Sequence, residues 1–105
     1  GIDRITKFDA STLGCQIAGE VKGFDVGAYM APKEARRMDA FIHYGMAASI
    51  QAIKDSGIEV SDANRTRIGV VVGSGIGGLP MIEDNHREMM TRGTRRISPF
   101  LIPGS

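Results

Sequence analysis

The sequence predicts an α/β fold, on three observations: a long helical pattern over residues 38–55, a continuous β-branched run at Ile68-Gly69-Val70-Val71-Val72, and a glycine-rich turn leading from that run into a second helical pattern. Helix, strand, glycine loop and helix in that order belong to proteins whose crossover helices cover a mostly parallel sheet. One strand does not make a sheet. The order therefore also predicts a segment of something longer, an expectation strengthened by a start without Met and a greasy end, Ile97-Ser98-Pro99-Phe100-Leu101-Ile102-Pro103.

Residues 1–29 are punctuated by glycine, and only Ile17-Ala18-Gly19-Glu20-Val21 could extend there, so irregular chain with at most an edge strand is expected. Pro32 suits a first helical turn, and Lys33-Glu34-Ala35-Arg36-Arg37 are good helix formers, with a break expected before Asp39. From Met38 to Asp55, residues Met38, Phe41, Ile42, Gly45, Met46, Ser49, Ile50 and Ile53 form a stripe at helical spacing whose small members allow close backbone approach. Asp39 favours the start of this helix and Gly57 its end. A polar turn at Ser61-Asp62-Ala63-Asn64 leads to the β-branched run, whose lack of alternation predicts an interior parallel strand covered on both faces. After Gly73-Ser74-Gly75-Ile76-Gly77-Gly78, Met81, Ile82, Asn85 and Met89 fall on one side of a second helix that ends at Arg92-Gly93.

The 105 residues amount to one domain or less, with 13 Lys and Arg against 12 Asp and Glu and a net charge of +1. Such a balance gives no overall field to attract nucleic acid or a membrane surface. At 42% hydrophobic and 24% charged the composition excludes a disordered tail. A single cysteine, Cys15, forms no internal disulfide, which makes a reducing cytosol the default. No apolar run approaches the roughly 20 residues of a membrane-spanning helix.

Three features could carry chemistry. Gly73, Gly75 and Gly78 fit the G-x-G-x-x-G spacing of dinucleotide sites. However, the region about 20 residues on, where an acidic ribose ligand belongs, holds Arg92, Arg95 and Arg96, and no P-loop Lys-Ser or Lys-Thr follows. The glycines read first as turn and close-packing positions, with a phosphate- or nucleotide-binding module as the alternative. Lys33, Arg36 and Arg37 stack like charges at i, i+3 and i+4, which costs a helix a few tenths of a kcal/mol. Either Glu34 and Asp39 relieve a solvated face, or an acidic partner does; three charges are too few for strong nucleic-acid binding. Cys15 has no base beside it. His43, on the polar flank of the long helix, and His86, on the second, have no second His at i+4 and read as surface histidines, so no active site or metal centre assembles from spacing.

The run Lys33-Glu34-Ala35-Arg36-Arg37-Met38-Asp39-Ala40-Phe41-Ile42-His43-Tyr44-Gly45, then Arg67-Ile68-Gly69 into Gly73-Ser74-Gly75-Ile76-Gly77-Gly78, then Ile97-Ser98-Pro99-Phe100, resembles the bacterial β-ketoacyl-ACP synthase II family of fatty-acid elongation. The resemblance covers nearly all 105 residues in order. It implies a segment of a thiolase-like fold, two similar α/β halves with mixed sheets and layered helices, of which residues 1–105 are a partial N-terminal half lacking the first strand and the catalytic half. It further implies a cytoplasmic homodimer that condenses an acyl group, held on a cysteine, with malonyl-ACP, releasing carbon dioxide without metal or organic cofactor. The nucleophilic cysteine and two histidines of the family lie outside these residues. Cys15 is therefore not the nucleophile, no catalytic residue is expected here, and the segment alone is expected to be inactive. By the same resemblance Lys33, Arg36 and Arg37 dock the acidic acyl carrier protein, which reverses the solvated-face reading. Ile76 would line the acyl-chain pocket, and Leu101 would be a second pocket position reaching the partner subunit's tunnel.

Overall fold

The structure, a computed structural model, describes residues 1–105. Two short strands, β1 (Asp3–Arg4) and β2 (Ile17–Ala18), pair antiparallel with Asp3 opposite Ala18 and Arg4 opposite Ile17. Four helices follow: α1 (Pro32–Ala35), α2 (Ala40–Ser56), α3 (Leu79–Arg92) and α4 (Leu101–Gly104). The expected edge strand is present at Ile17–Ala18. Its partner was hidden from the sequence because two residues, Asp3 and Arg4, are too few to show a period.

Glu20 fastens the hairpin. Its Oε2 accepts from the Thr6 hydroxyl at 2.7 Å, and its Oε1 accepts from the backbone N–H groups of Thr6 at 2.9 Å and Lys7 at 3.1 Å. Only 7% of the side chain is exposed, and the Lys22 ammonium stands 3.9 Å away. These bonds, the Thr6 hydroxyl first, hold the Glu20 carboxyl below the usual carboxylate range.

Pro32 opens α1 as expected, and the chain keeps turning after Ala35, with the Arg37 N–H donating to the Glu34 carbonyl at 2.9 Å. The expected break falls at Asp39, whose extended backbone (φ −75°, ψ 163°) ends one helical segment and caps the next. Its Oδ1 accepts from the Ala40 N–H at 2.6 Å, while Oδ2 accepts from the Met81 N–H in the first turn of α3 at 2.9 Å. The Asp39 N–H donates to the Gly104 carbonyl at 2.9 Å. One residue thus ties the starts of α2 and α3 to the end of α4. Gly57 stops α2 in the left-handed region (φ 66°), which glycine enters without a Cβ penalty.

α2 uses two faces. On the first, Tyr44 meets Phe24 edge-on at 5.0 Å, Phe24 stacks on Tyr29 at 5.8 Å, and the Tyr29 hydroxyl accepts from Gln51 Nε2 at 2.6 Å. Ala47, 4% exposed, lies on this side, and His43 Nε2 donates to the Ala35 carbonyl at 2.9 Å. His43 is thus half-buried rather than a surface histidine, because the carbonyl that closes α1 needs a donor. The second face, with Phe41 and Gly45, looks toward residues 72–77. α3 is as expected, and its Asn85 braces the following segment, accepting from the Ser98 N–H at 2.7 Å and donating to the Met81 carbonyl at 2.8 Å.

The expected interior strand at residues 68–72 does not form. Val71 is 97% exposed, Val70 and Val72 are also exposed, and no chain pairs with them. A strand exists through bonds to its neighbours, and the two strands present, β1 and β2, pair only with each other. The parallel sheet of the α/β expectation is accordingly absent, leaving a helix-rich arrangement with one small hairpin. Exposed surface reaches 8656 Å², whereas a compact protein of this mass would show roughly 5,700 Å². Only Ala10, Ala35, Ala47, Gly78 and Gly104 are buried, and no large side chain is fully enclosed.

Two outcomes test these ties. Since the Glu20 pKa is lower folded than unfolded, its contribution to the hairpin is present above the ordinary glutamate range and is lost as pH falls through the folded value. The amide shifts of Thr6 and Lys7 should therefore titrate with a midpoint below that range and cease to titrate there in Glu20→Gln; a midpoint at or above it would contradict the bonding. Asp39→Ala should lower unfolding stability in urea by about 1–3 kcal/mol, since it leaves two helix starts without their acceptor, whereas Asp39→Asn should cost less.

Candidate functional site

Lys33 lies in α1, Arg36 ends it and Arg37 follows in the same turn. All three are exposed, and none is in an ion pair: the chain's salt bridges join Lys22 to Glu20, Arg65 to Asp62, Arg87 to Asp84 and Arg92 to Glu88. Neither Glu34 nor Asp39 relieves them, Asp39 having both oxygens on backbone N–H groups. Arg37 has one partner of another kind, the Phe100 ring, whose centroid lies 4.6 Å from the guanidinium carbon. A cation over an aromatic face is worth about 0.5–1 kcal/mol at an exposed site, so it holds the side chain without consuming its charge.

The glycine loop divides in two. Gly73 and Gly75 face open space. Gly77 lies under the Phe41 ring, where a Cβ would come within 2.6 Å of Cζ, and a Cβ on Gly78 would come within 2.7 Å of the Ser105 Cα and 2.9 Å of Asp39 Oδ2. The close-packing reading therefore applies to Gly77 and Gly78, which pack on the chain itself. The phosphate reading finds no support: the Asp39 carboxylate already takes the Met81 N–H at the start of α3, and an anion placed there would meet a negative charge.

Between α2 and the loop lies an open, mainly apolar cleft of about 350 Å³, lined by Phe41, Ile42, Gly45, Met46 and Ser49 on one side and Val72, Gly73 and Ser74 on the other. Ile76 stands outside this lining, 75% exposed, and Leu101 begins α4 half-buried. The structure does not bring these two residues together with the cleft. Cys15 is exposed and its thiol donates only to the Ile17 carbonyl at 3.5 Å, while His86 is exposed on α3. No group of His, Cys, Asp and Glu side chains is placed to hold a metal, and no helix is long and apolar enough to cross a membrane. Two contacts escaped the sequence reading: the second bond of the Asp39 cap, to Met81, and the seat of Arg37 on the Phe100 ring.

The chain belongs to the β-ketoacyl synthase family, whose N-terminal domain matches residues 1–105, the whole chain. Among curated relatives it is similar to 3-oxoacyl-[acyl-carrier-protein] synthase 2 of Vibrio cholerae, 51% identical over 105 residues, covering 100% of this chain and 25% of the relative. The namesake from Coxiella burnetii is 47% identical over 105 residues with the same coverage, and that from Staphylococcus aureus (strain N315) is 44% identical over 103 residues, 98% of this chain and 25% of the relative. The chain thus spans about a quarter of the length of these relatives. The family resemblance read from the motifs stands.

The two kinds of loop glycine should separate on substitution. Gly78→Ala should destabilise the protein by about 1–3 kcal/mol because its neighbours include backbone, whereas Gly75→Ala should fall within about 0.5 kcal/mol of wild type in thermal unfolding. Equal effects at both positions would contradict the packing described.

Proposed function

We propose that this chain is part of a 3-oxoacyl-[acyl-carrier-protein] synthase that elongates fatty acids. The observation that carries this reading is the family match over every residue, with relatives of that name at about half identity. The full protein would adopt a thiolase-like fold of two similar α/β halves, in which the open valines at residues 70–72 gain strand neighbours, and would act as a cytoplasmic homodimer.

In that enzyme an acyl group passes from its carrier to a cysteine thiolate, forming a thioester. The malonyl group on a second carrier loses carbon dioxide, and the bonding electrons left behind form a carbanion that attacks the thioester carbonyl. Collapse of that adduct expels the thiolate and leaves a 3-oxoacyl group, two carbons longer, on the carrier. Such chemistry needs a thiol of lowered pKa, donors for the developing oxyanion and groups that stabilise charge as carbon dioxide departs. Cys15, His43 and His86 are not so arranged, and we assign the reacting groups to the remaining three quarters of the protein. These residues contribute carrier docking through Lys33, Arg36 and Arg37, pocket wall through Ile76 and Leu101, and dimer surface. What supports the docking role is that the three cations are exposed without carboxylate partners, a state an acidic protein relieves.

In the full-length enzyme, Ile76→Phe should block long acyl primers while sparing short ones, because a ring overfills a packed tunnel. Equal rates on both would refute the pocket role. Reversing the charges of Lys33, Arg36 and Arg37 together should raise KM for carrier-bound substrate roughly tenfold or more, with added salt mimicking the change in wild type. An unchanged KM would count against docking here.

A further inference from the structure

The segment that carries Leu101 is fixed at both ends and held in its middle by one side chain. At one end the Ser98 N–H donates to Asn85 on α3 at 2.7 Å; at the other the Gly104 carbonyl accepts from the Asp39 N–H at 2.9 Å, with Gly104 so close to the Arg37 carbonyl that no side chain would fit. Internal turns join the Leu101 N–H to the Ser98 carbonyl at 3.1 Å and the Gly104 N–H to the Phe100 carbonyl at 2.9 Å. Phe100 itself is half-buried and bears the Arg37 guanidinium at 4.6 Å.

Arg37 therefore has two possible seats. It can lie on the Phe100 ring, or turn to a carboxylate of a docked acidic protein. A cation on a ring and an exposed ion pair are worth similar amounts, so the two seats are close in free energy and a partner can shift the balance. We propose that the Arg37–Phe100 stack is a link between the basic turn and residues 98–104, so that a carrier carboxylate drawing Arg37 off the ring loosens Phe100 and moves the adjoining Leu101. The inference rests on the docking and pocket roles proposed above. In it Phe100 is a positioning residue: it touches neither carrier nor acyl chain, yet it makes chain-length selectivity respond to docking.

The test uses the full-length enzyme and purified acyl carrier protein loaded with a short or a long acyl chain. Wild type, Arg37→Gln, Phe100→Leu, the double variant and Lys33→Gln are compared by kcat/KM on each. Each single change at the stack should shift the long-to-short ratio by about two- to fivefold in the same direction, and the double variant should shift it no further. Lys33→Gln should raise KM on both chains alike and leave the ratio where it was. Independently of any variant, the Leu101 methyl resonances of wild type should move when carrier protein without an acyl chain is added. An unaltered ratio, additive effects in the double variant, or unmoved Leu101 methyls would overturn the link while leaving the docking and pocket roles intact. A wild-type enzyme that does not condense carrier-bound substrates would overturn those roles, and the link with them, before any variant was compared.

Discussion

The arrangement depends on one carboxylate. Helix starts leave N–H groups without partners, and α3 begins with Gly78, Leu79 and Pro80, none of which has a side chain able to accept a bond. Asp39 supplies the missing acceptor from 42 residues earlier in the chain while also capping its own helix. Because each oxygen serves a different helix, the starts of α2 and α3 cannot move apart without leaving an N–H unpaired. That constraint fixes what surrounds it. Gly77 and Gly78 must lack side chains because Phe41 and Asp39 stand against them, and Gly104 must be glycine because the turn at Arg37 stands against it.

The rest of the chain contrasts with this junction. Surface about half as great again as a compact protein would show leaves many large apolar side chains exposed, Ile2, Val71 and Ile102 among them. Val70, Val71 and Val72 are a strand in composition without being one in bonding, and the cleft between α2 and the loop has two walls and no roof. Hydrophobic burial, the largest favourable contribution in ordinary folding, is here mostly unrealised. Local polar ties hold the geometry instead: Glu20 in the hairpin, Asp39 at the junction, Asn85 under the following segment and His43 on the end of α1.

What was legible in the sequence follows the same division. Features set by neighbouring residues were readable: Pro32 at a helix start, the break at Asp39, Gly57 as a stop and the end of α3 at Gly93. The β-branched run was read correctly for its propensity and wrongly for its structure, because pairing is a property of two strands and a single run shows only one. His43 was misjudged for a related reason. The helical wheel puts it beside the apolar stripe, but what buries it is a carbonyl eight residues earlier, brought near by a turn that no periodicity reveals. The family resemblance succeeded where spacing did not, since it draws on many positions in order rather than one pattern at a time.

The basic turn shows how packing and charge combine. Like charges at Lys33, Arg36 and Arg37 repel one another, and none of the three is in an ion pair. The turn that carries them is anchored on both sides, the Ala35 carbonyl to His43 and the Asp39 N–H to the Gly104 carbonyl. The ring of Phe100 then settles Arg37 without neutralising it. A turn built in this way presents three unpaired cations from a backbone fixed on both sides. Two of these contacts, the Asp39 N–H on the Gly104 carbonyl and Arg37 on the Phe100 ring, also bear on residues 98–104, so the turn and that segment share part of their support.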